Sequence, residues 1–272
     1  MRFEGLHVAS FVIGFILFSS VKYPSFFVKQ PQMTLVLTER KPRTAVVLTG
    51  VLRCFPQSGE SLIKRVLELN DWPDLYVLAI YDSSKQIDLI SLRMLRMLPN
   101  VKVVLQMDML SNYSIFRANS VKLDGYPFPN KAAVTTVNNT LSMWYSYYLM
   151  RDQLVKFNTT YDIVARLRID VFFQENLNLT NFLGDNFLAI PEGNDWAGGI
   201  DWSGLNDQFA VGTQEAMMEF LNLYSMLTTL YHRHRVLFHP ETMTKAWVEI
   251  FARGKKIGRP KFAYAITRKC EQ

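Results

Sequence analysis

The chain has 272 residues, 49% of them apolar and 13% aromatic, which is ample for a packed core and excludes a disordered polypeptide. Thirty Lys and Arg against 24 Asp and Glu leave a net charge of +6, mostly spread out. The basic run RGKKIGRPK near the C-terminus reads as a solvated loop, so no nucleic-acid partner is expected. In chain order, the first feature is LHVASFVIGFILFSSV at residues 6–21, almost wholly apolar and bracketed by Arg2 and Lys22. Its length lies where signal-peptide cores and short membrane anchors overlap, and the lack of an A-x-A cleavage site favours an anchor. Basic residues on both sides leave its orientation open. Residues 22–42 mix Pro, Gln and Lys without a period and read as a stem. The expected division is therefore 1–21 signal-anchor or signal peptide, 22–42 stem and 43–272 folded domain.

From residue 44, TAVVLTG reads as a buried strand ending at Gly50, followed by a helical GESLIKRVLELN. DLYVLAIYD is a second strand, QIDLISLRMLRMLP an amphipathic helix and VKVVLQMD a third strand. Strand alternating with helix, the strands apolar on both faces, predicts an α/β fold with a mainly parallel central sheet. In such sheets ligands bind beyond the carboxyl ends of the strands. A polar region at 111–130 precedes an aromatic-rich helix, TLSMWYSYYLMRDQLVKF, which leads into YDIVARLRID. There follow a strand NFLAIPEG, a Gly- and Trp-rich loop GNDWAGGIDWSGLND, an apolar QFAVG and a helix TQEAMMEFLNLYSML. The basic YHRHRVLFHPE, another helix and a closing strand at KFAYAITR complete the chain.

Three short motifs carry the candidate chemistry. In YDIVARLRID, Val164, Arg166, Arg168 and Asp170 project to one side of a strand, Ile163, Ala165 and Leu167 to the other. One reading is an ion-pair network on an edge strand. The other places Asp170 at the carboxyl end of a central strand, holding a divalent metal or a ribose, with the arginines near phosphate oxygens. In GLNDQFAVG, Asp207 would sit at the lip of the same crevice as a general base towards a sugar hydroxyl, with Asn206 beside it; an ordinary turn is the alternative. In FHPET, Pro240 and Glu241 suit a helix start, and His239 would otherwise touch a metal or phosphate. G-x-G-x-x-G, G-K-[ST] and G-x-S-x-G are absent, as is any Cys/His zinc pattern.

The order TGVLRCF, YDIVARLRID, GLNDQFAVG, HPET resembles a broad group of glycosyltransferase-like proteins, including plant proteins classed as a domain of unknown function, across residues 43–268. The resemblance implies a GT-A-like, single Rossmann-type domain that binds a nucleotide sugar. It also implies Mn²⁺ or Mg²⁺ on a D-x-D element, of which Asp170 matches the second aspartate while Arg168 stands in place of the first. Asp207 would supply the base, Arg53 would reach donor phosphates with Arg166 and Arg168, and Asn206, His239 and Glu241 would support the site or touch the acceptor. The expected function is thus sugar transfer from a nucleotide-sugar donor to a glycan, protein or lipid hydroxyl. The alternatives are a non-catalytic sugar- or nucleotide-binding protein on the same fold, and a nucleotide-dependent enzyme of another class. Four N-x-[ST] sequons, at Asn112, Asn138, Asn158 and Asn178, point to a secretory lumen. A Golgi or ER membrane with a lumenal domain is expected, secretion being the alternative. In an oxidising lumen Cys54 and Cys270 would either pair or remain two thiols.

Overall fold

The structure, a computed structural model, describes residues 40–52, 55–81, 84–107, 130–193, 195 and 203–267. The apolar run at 6–21, the stem up to residue 39, Arg53, Cys54, Asn112, Cys270 and most of the Gly- and Trp-rich loop lie outside these residues. Among the described residues no helix is long and apolar enough to cross a membrane.

The chain runs β1 (Thr44–Val51), α1 (Phe55–Leu62) with a wider π-helical turn at Ile63–Leu67, β2 (Asp74–Ile80), α2 (Gln86–Arg96) and β3 (Val101–Met107). A long α3 (Asn130–Phe157) leads to β4 (Ile163–Arg168), β5 (Val171–Phe173), α4 (Leu179–Leu183), β6 (Leu188–Ala189) and β7 (Phe209–Gly212). Helices α5 (Gln214–Phe220) and α6 (Leu223–Thr228), a π-helical turn at Thr229–Arg233, α7 (Pro240–Phe251), β8 (Ile257–Gly258) and β9 (Tyr264–Ile266) follow.

Seven strands form one sheet in the order β3-β2-β1-β4-β7-β6-β8, and β5 pairs with β9 in a separate ribbon. β1, β2, β3 and β4 are mutually parallel, and β7 is antiparallel to β4. The α/β expectation of a mainly parallel central sheet is met. β4 lies between β1 and β7, so the edge-strand reading of YDIVARLRID is corrected: a run buried on both faces needs a partner on both sides.

Period-two alternation sorts the strand side chains into two cores. Val47, Tyr76 and Val164 join the layer formed by α3, α5, α6 and α7. Val46, Val77, Ile163, Ala165, Leu167 and Ile169 face α1, α2 and α4. The chain moves from β1 outward to β2 and β3, then returns through α3 to place β4 on the other side of β1. The sheet therefore reverses its winding between β1 and β4, and a crevice at their carboxyl ends is a geometric consequence.

Several elements differ from the sequence reading. α3 begins at Asn130 rather than near residue 140, so it includes the weak helix formers of VTTVNNT. Packing of Val137, Leu141 and Trp144 in the core outweighs that local preference. The expected single helix at 213–227 is two, interrupted at Leu221 and Asn222. The closing strand pairs with β5 instead of joining the main sheet. Of the sequons, Asn158 is exposed just past α3, and Asn178 caps α4 by accepting from Asn181 N at 2.9 Å.

Candidate functional site

A cavity of about 370 Å³ opens where the winding reverses, within the size range of small-molecule sites. Gly50 and Val51 from β1, Thr140 and Met143 from α3, Arg166 and Arg168 from β4, Asp207 and Gln208 before β7, and Pro240 and Glu241 of α7 line it. Gly50 has φ +136°, a conformation side chains disfavour, so glycine suits this position one residue before β1 ends at Val51. Ile169 N donates to Thr49 O at 3.2 Å, so the ends of β1 and β4 stay joined beneath the opening.

Arg166 is 1% exposed, and its donors go to the protein. Its Nε donates to Thr49 Oγ1 at 3.1 Å, and Nη1 donates to the carbonyls of Asp207 at 2.6 Å and Gln208 at 2.9 Å. The guanidinium carbon lies 4.1 Å from the centre of the Tyr147 ring. Burial lowers its pKa, against the raising effect of nearby negative groups. Arg166 is therefore a clamp on the turn that carries Asp207, and its expected phosphate role has two of its three nitrogens already engaged.

Arg168 is the more open of the two to the cavity. Its Nε and Nη2 donate to the two oxygens of Asp170 at 2.9 and 2.8 Å, a bidentate pair in which Asp170 is fully buried and Arg168 is 23% exposed at the cavity. Burial alone would lower the Arg168 pKa; the bond and charge of Asp170 outweigh it and hold it above the ordinary range. These residues do not fit a divalent ion. Both Asp170 oxygens accept from a cation, a second cation there would repel the first, and no cluster of three metal-ligating side chains occurs among the described residues.

Asp207 is held by its backbone. Its carbonyl accepts from Arg166 and from Tyr147 Oη at 3.3 Å, while no hydrogen bond from another described side chain reaches its carboxylate. Burial first, and then the charge of Glu241, push its pKa up to about 6, against the opposing pull of Arg168 and Arg166. A carboxyl poised there can take a proton near neutral pH. Glu241 is brought in by close backbone packing: Leu205 N donates to Glu241 O at 2.9 Å, and a Cβ on Gly204 would lie 2.4 Å from Glu241 Cβ and 2.6 Å from its carbonyl carbon. Only glycine lets the 203–207 segment run against the start of α7.

Asn206 is wholly buried and structural. Its N–H donates to Asp195 Oδ1 at 2.7 Å, its Nδ2 donates to Gly193 O at 2.8 Å and to Tyr264 Oη at 2.5 Å, and its Oδ1 accepts from Gln208 N at 2.9 Å. His239 occupies the N-cap of α7, with Nδ1 3.0 Å from Glu241 Oε2 but off the angle of a hydrogen bond. The structure thus brings Arg166, Arg168, Asp207 and Glu241 to one cavity, places Asp170, Asn206 and His239 behind it, and leaves Arg53 outside the described residues. Sequence reasoning missed Gln208, Tyr147, Gly50 and Gly204. Gln208 lay inside a quoted motif; Tyr147 sits on a helix whose sequence reads only as aromatic-rich, with no role given to any one ring.

Among solved structures, the chain is similar to the glycosyltransferase GlyE of Streptococcus pneumoniae TIGR4 at 15% identity and TM-score 0.39, over 80% of this chain and 45% of that one. It is also similar to mouse xyloside xylosyltransferase 1 at 11% identity and TM-score 0.41, over 80% of this chain and 84% of that one. This chain thus spans less than half of GlyE, and at these scores neither likeness assigns a reaction to it. No curated protein matches the sequence. A family described as a domain of unknown function, DUF7796, matches residues 39–266, and the chain belongs to that family.

Proposed function

We propose that the protein is a GT-A-like glycosyltransferase that takes a sugar from a nucleoside diphosphate donor to an acceptor hydroxyl of a glycan, protein or lipid. The observation that carries this reading is Asp207: a buried carboxyl with a pKa near neutrality, facing a cavity at the sheet's reversal point beside a partly exposed arginine. In the reaction, Asp207 accepts the proton of the acceptor hydroxyl as that oxygen bonds to the anomeric carbon. The bond from that carbon to the diphosphate oxygen breaks, and the diphosphate leaves with the electron pair. Arg168 stabilises the charge that develops on it, with Arg53 as a second cation beyond β1. Arg166 fixes the turn that aims Asp207, and Asp170 fixes Arg168. No step runs through a divalent ion. The apolar run at 6–21 would anchor this domain to a Golgi or ER membrane, facing the lumen.

The commitment of Asp170 to Arg168 favours a second reading, a non-catalytic protein that binds the same ligands. Release of nucleoside diphosphate from a panel of nucleotide sugars, with and without Mn²⁺ and with simple glycoside acceptors, separates the two. Turnover by the full chain that falls about 10²–10⁴-fold in a folded Asp207→Asn supports transfer. Binding without turnover supports the second reading, and unchanged turnover in Asp207→Asn removes the base assignment.

A further inference from the structure

Within the cavity, Gln208 has a side chain that the mechanism does not use. The residue is 8% exposed, and its Oε1 is buried with no hydrogen-bond partner among the described residues. Its backbone is fixed on both sides, since its N–H donates to Asn206 Oδ1 at 2.9 Å and its carbonyl accepts from Arg166 Nη1 at 2.9 Å. A buried acceptor left unmade is costly, and here it belongs to a side chain on a rigid turn, in a residue that lines the cavity next to the candidate base. Glu241 Oε2, on the start of α7, is likewise buried without a well-aligned hydrogen bond, its near polar neighbour being His239 Nδ1 at 3.0 Å, and belongs to a residue lining the same cavity.

We infer that Gln208 reads the sugar: its Oε1 accepts a hydrogen bond from a hydroxyl of the ligand, with Glu241 offering a second acceptor to the same polyhydroxylated group. This rests on the reading of the cavity as a sugar-nucleotide site. The chemistry of the wall selects the ligand class. Acceptors alone would suit an amine, but Arg166 and Arg168 line the same space and disfavour a cation. A neutral group bearing several hydroxyls donates to Gln208 and Glu241 and tolerates the guanidinium groups that line the same cavity. Because a site built to bond a hydroxyl rejects an analogue lacking it, Gln208 is a specificity-determining position.

The test measures binding by the full chain, as wild type, Gln208→Met and Gln208→Glu, using three probe sets: nucleoside diphosphate hexoses and pentoses, the same nucleoside diphosphates without sugar, and free monosaccharides at millimolar concentration. The expected result is a loss of about tenfold in affinity of Gln208→Met for the sugar-bearing probe that wild type binds. Bare nucleoside diphosphates should bind all three proteins alike, Gln208→Glu should retain more sugar affinity than Gln208→Met, and the unliganded Tm of Gln208→Met should not fall. A purely structural glutamine would instead lower Tm and weaken every probe equally. Sugar affinity unchanged in Gln208→Met, or no sugar-bearing probe of either kind bound by wild type, overturns the inference. If no nucleotide binds but a monosaccharide does, the transferase reading fails while the monosaccharide arm still decides the role of Gln208.

Discussion

Two aspartates sit in clusters at opposite ends of the same sheet, and they are treated in opposite ways. Asp74, at the start of β2, accepts from Tyr161 Oη at 2.8 Å and has Lys102 Nζ at 3.1 Å and Arg43 Nη2 at 3.4 Å. Tyr161 Oη in turn lies 2.8 Å from Tyr76 Oη, which must be the donor because the Tyr161 proton goes to Asp74. Burial would raise the Asp74 pKa, but these bonds and charges outweigh it and hold it below the usual carboxylate range. Asp207, at the carboxyl end, is buried with its carboxylate facing a cavity and a second acidic residue, and its pKa is raised. A saturated cluster stabilises the fold, whereas one left short of donors destabilises it unless something else completes it.

The largest effect expected from breaking this arrangement is at Arg166. Arg166→Met leaves the carbonyls of Asp207 and Gln208 without their donor and should lower the unfolding free energy by about 3–5 kcal/mol in urea denaturation. Next is Asp207→Asn. With a folded pKa of about 6 against an ordinary value of 3.8, wild-type Asp207 binds its proton more tightly when folded. Wild type therefore loses stability as pH rises from about 4 to 6, and above that Asp207→Asn should be more stable by up to about 3 kcal/mol, a gain that fades below pH 6. Equal stability at pH 4 and pH 8 relative to wild type would mean that Asp207 is not strained.

Asp74→Asn should behave in the opposite way and more weakly. Its depressed folded pKa contributes stability that is present above the unfolded pKa and lost as pH falls through the folded one. The variant should be about 1–2 kcal/mol less stable at pH 7, with the gap closing in acid, as read from thermal melts across pH. If both variants show the same pH trend, the contrast between the two ends of the sheet fails.

Much of this arrangement was legible from local pattern. Apolar strands alternating with helices announce a covered parallel sheet, and alternation alone sorted Arg166 from Leu167. That rule could not say that the two arginines have different jobs. Arg166 is spent on carbonyls 41 and 42 residues away and Arg168 on a neighbour two residues along, and only the tertiary arrangement separates a clamp from a cation at a cavity. Asp170 illustrates the same limit from the other side. Its place after a central strand was foreseeable, but its bidentate bond to Arg168 was not, because R-x-D spacing fixes a shared strand face and not a rotamer. Gly204 escaped notice because its reason is a helix start nearly forty residues later in the chain, with which it makes backbone contact.

The central claim, that the carboxyl end of the sheet is left incomplete for a nucleotide sugar, is tested most directly by the Tm of the full chain against a panel of nucleoside diphosphate sugars. A ligand at about a hundred times its Kd stabilises by about 2.7 kcal/mol, which for a domain of this size is a rise of about 5–10 °C. The account predicts such a rise for at least one donor, larger than that from its bare nucleoside diphosphate. A flat response to every donor at millimolar concentration would contradict it.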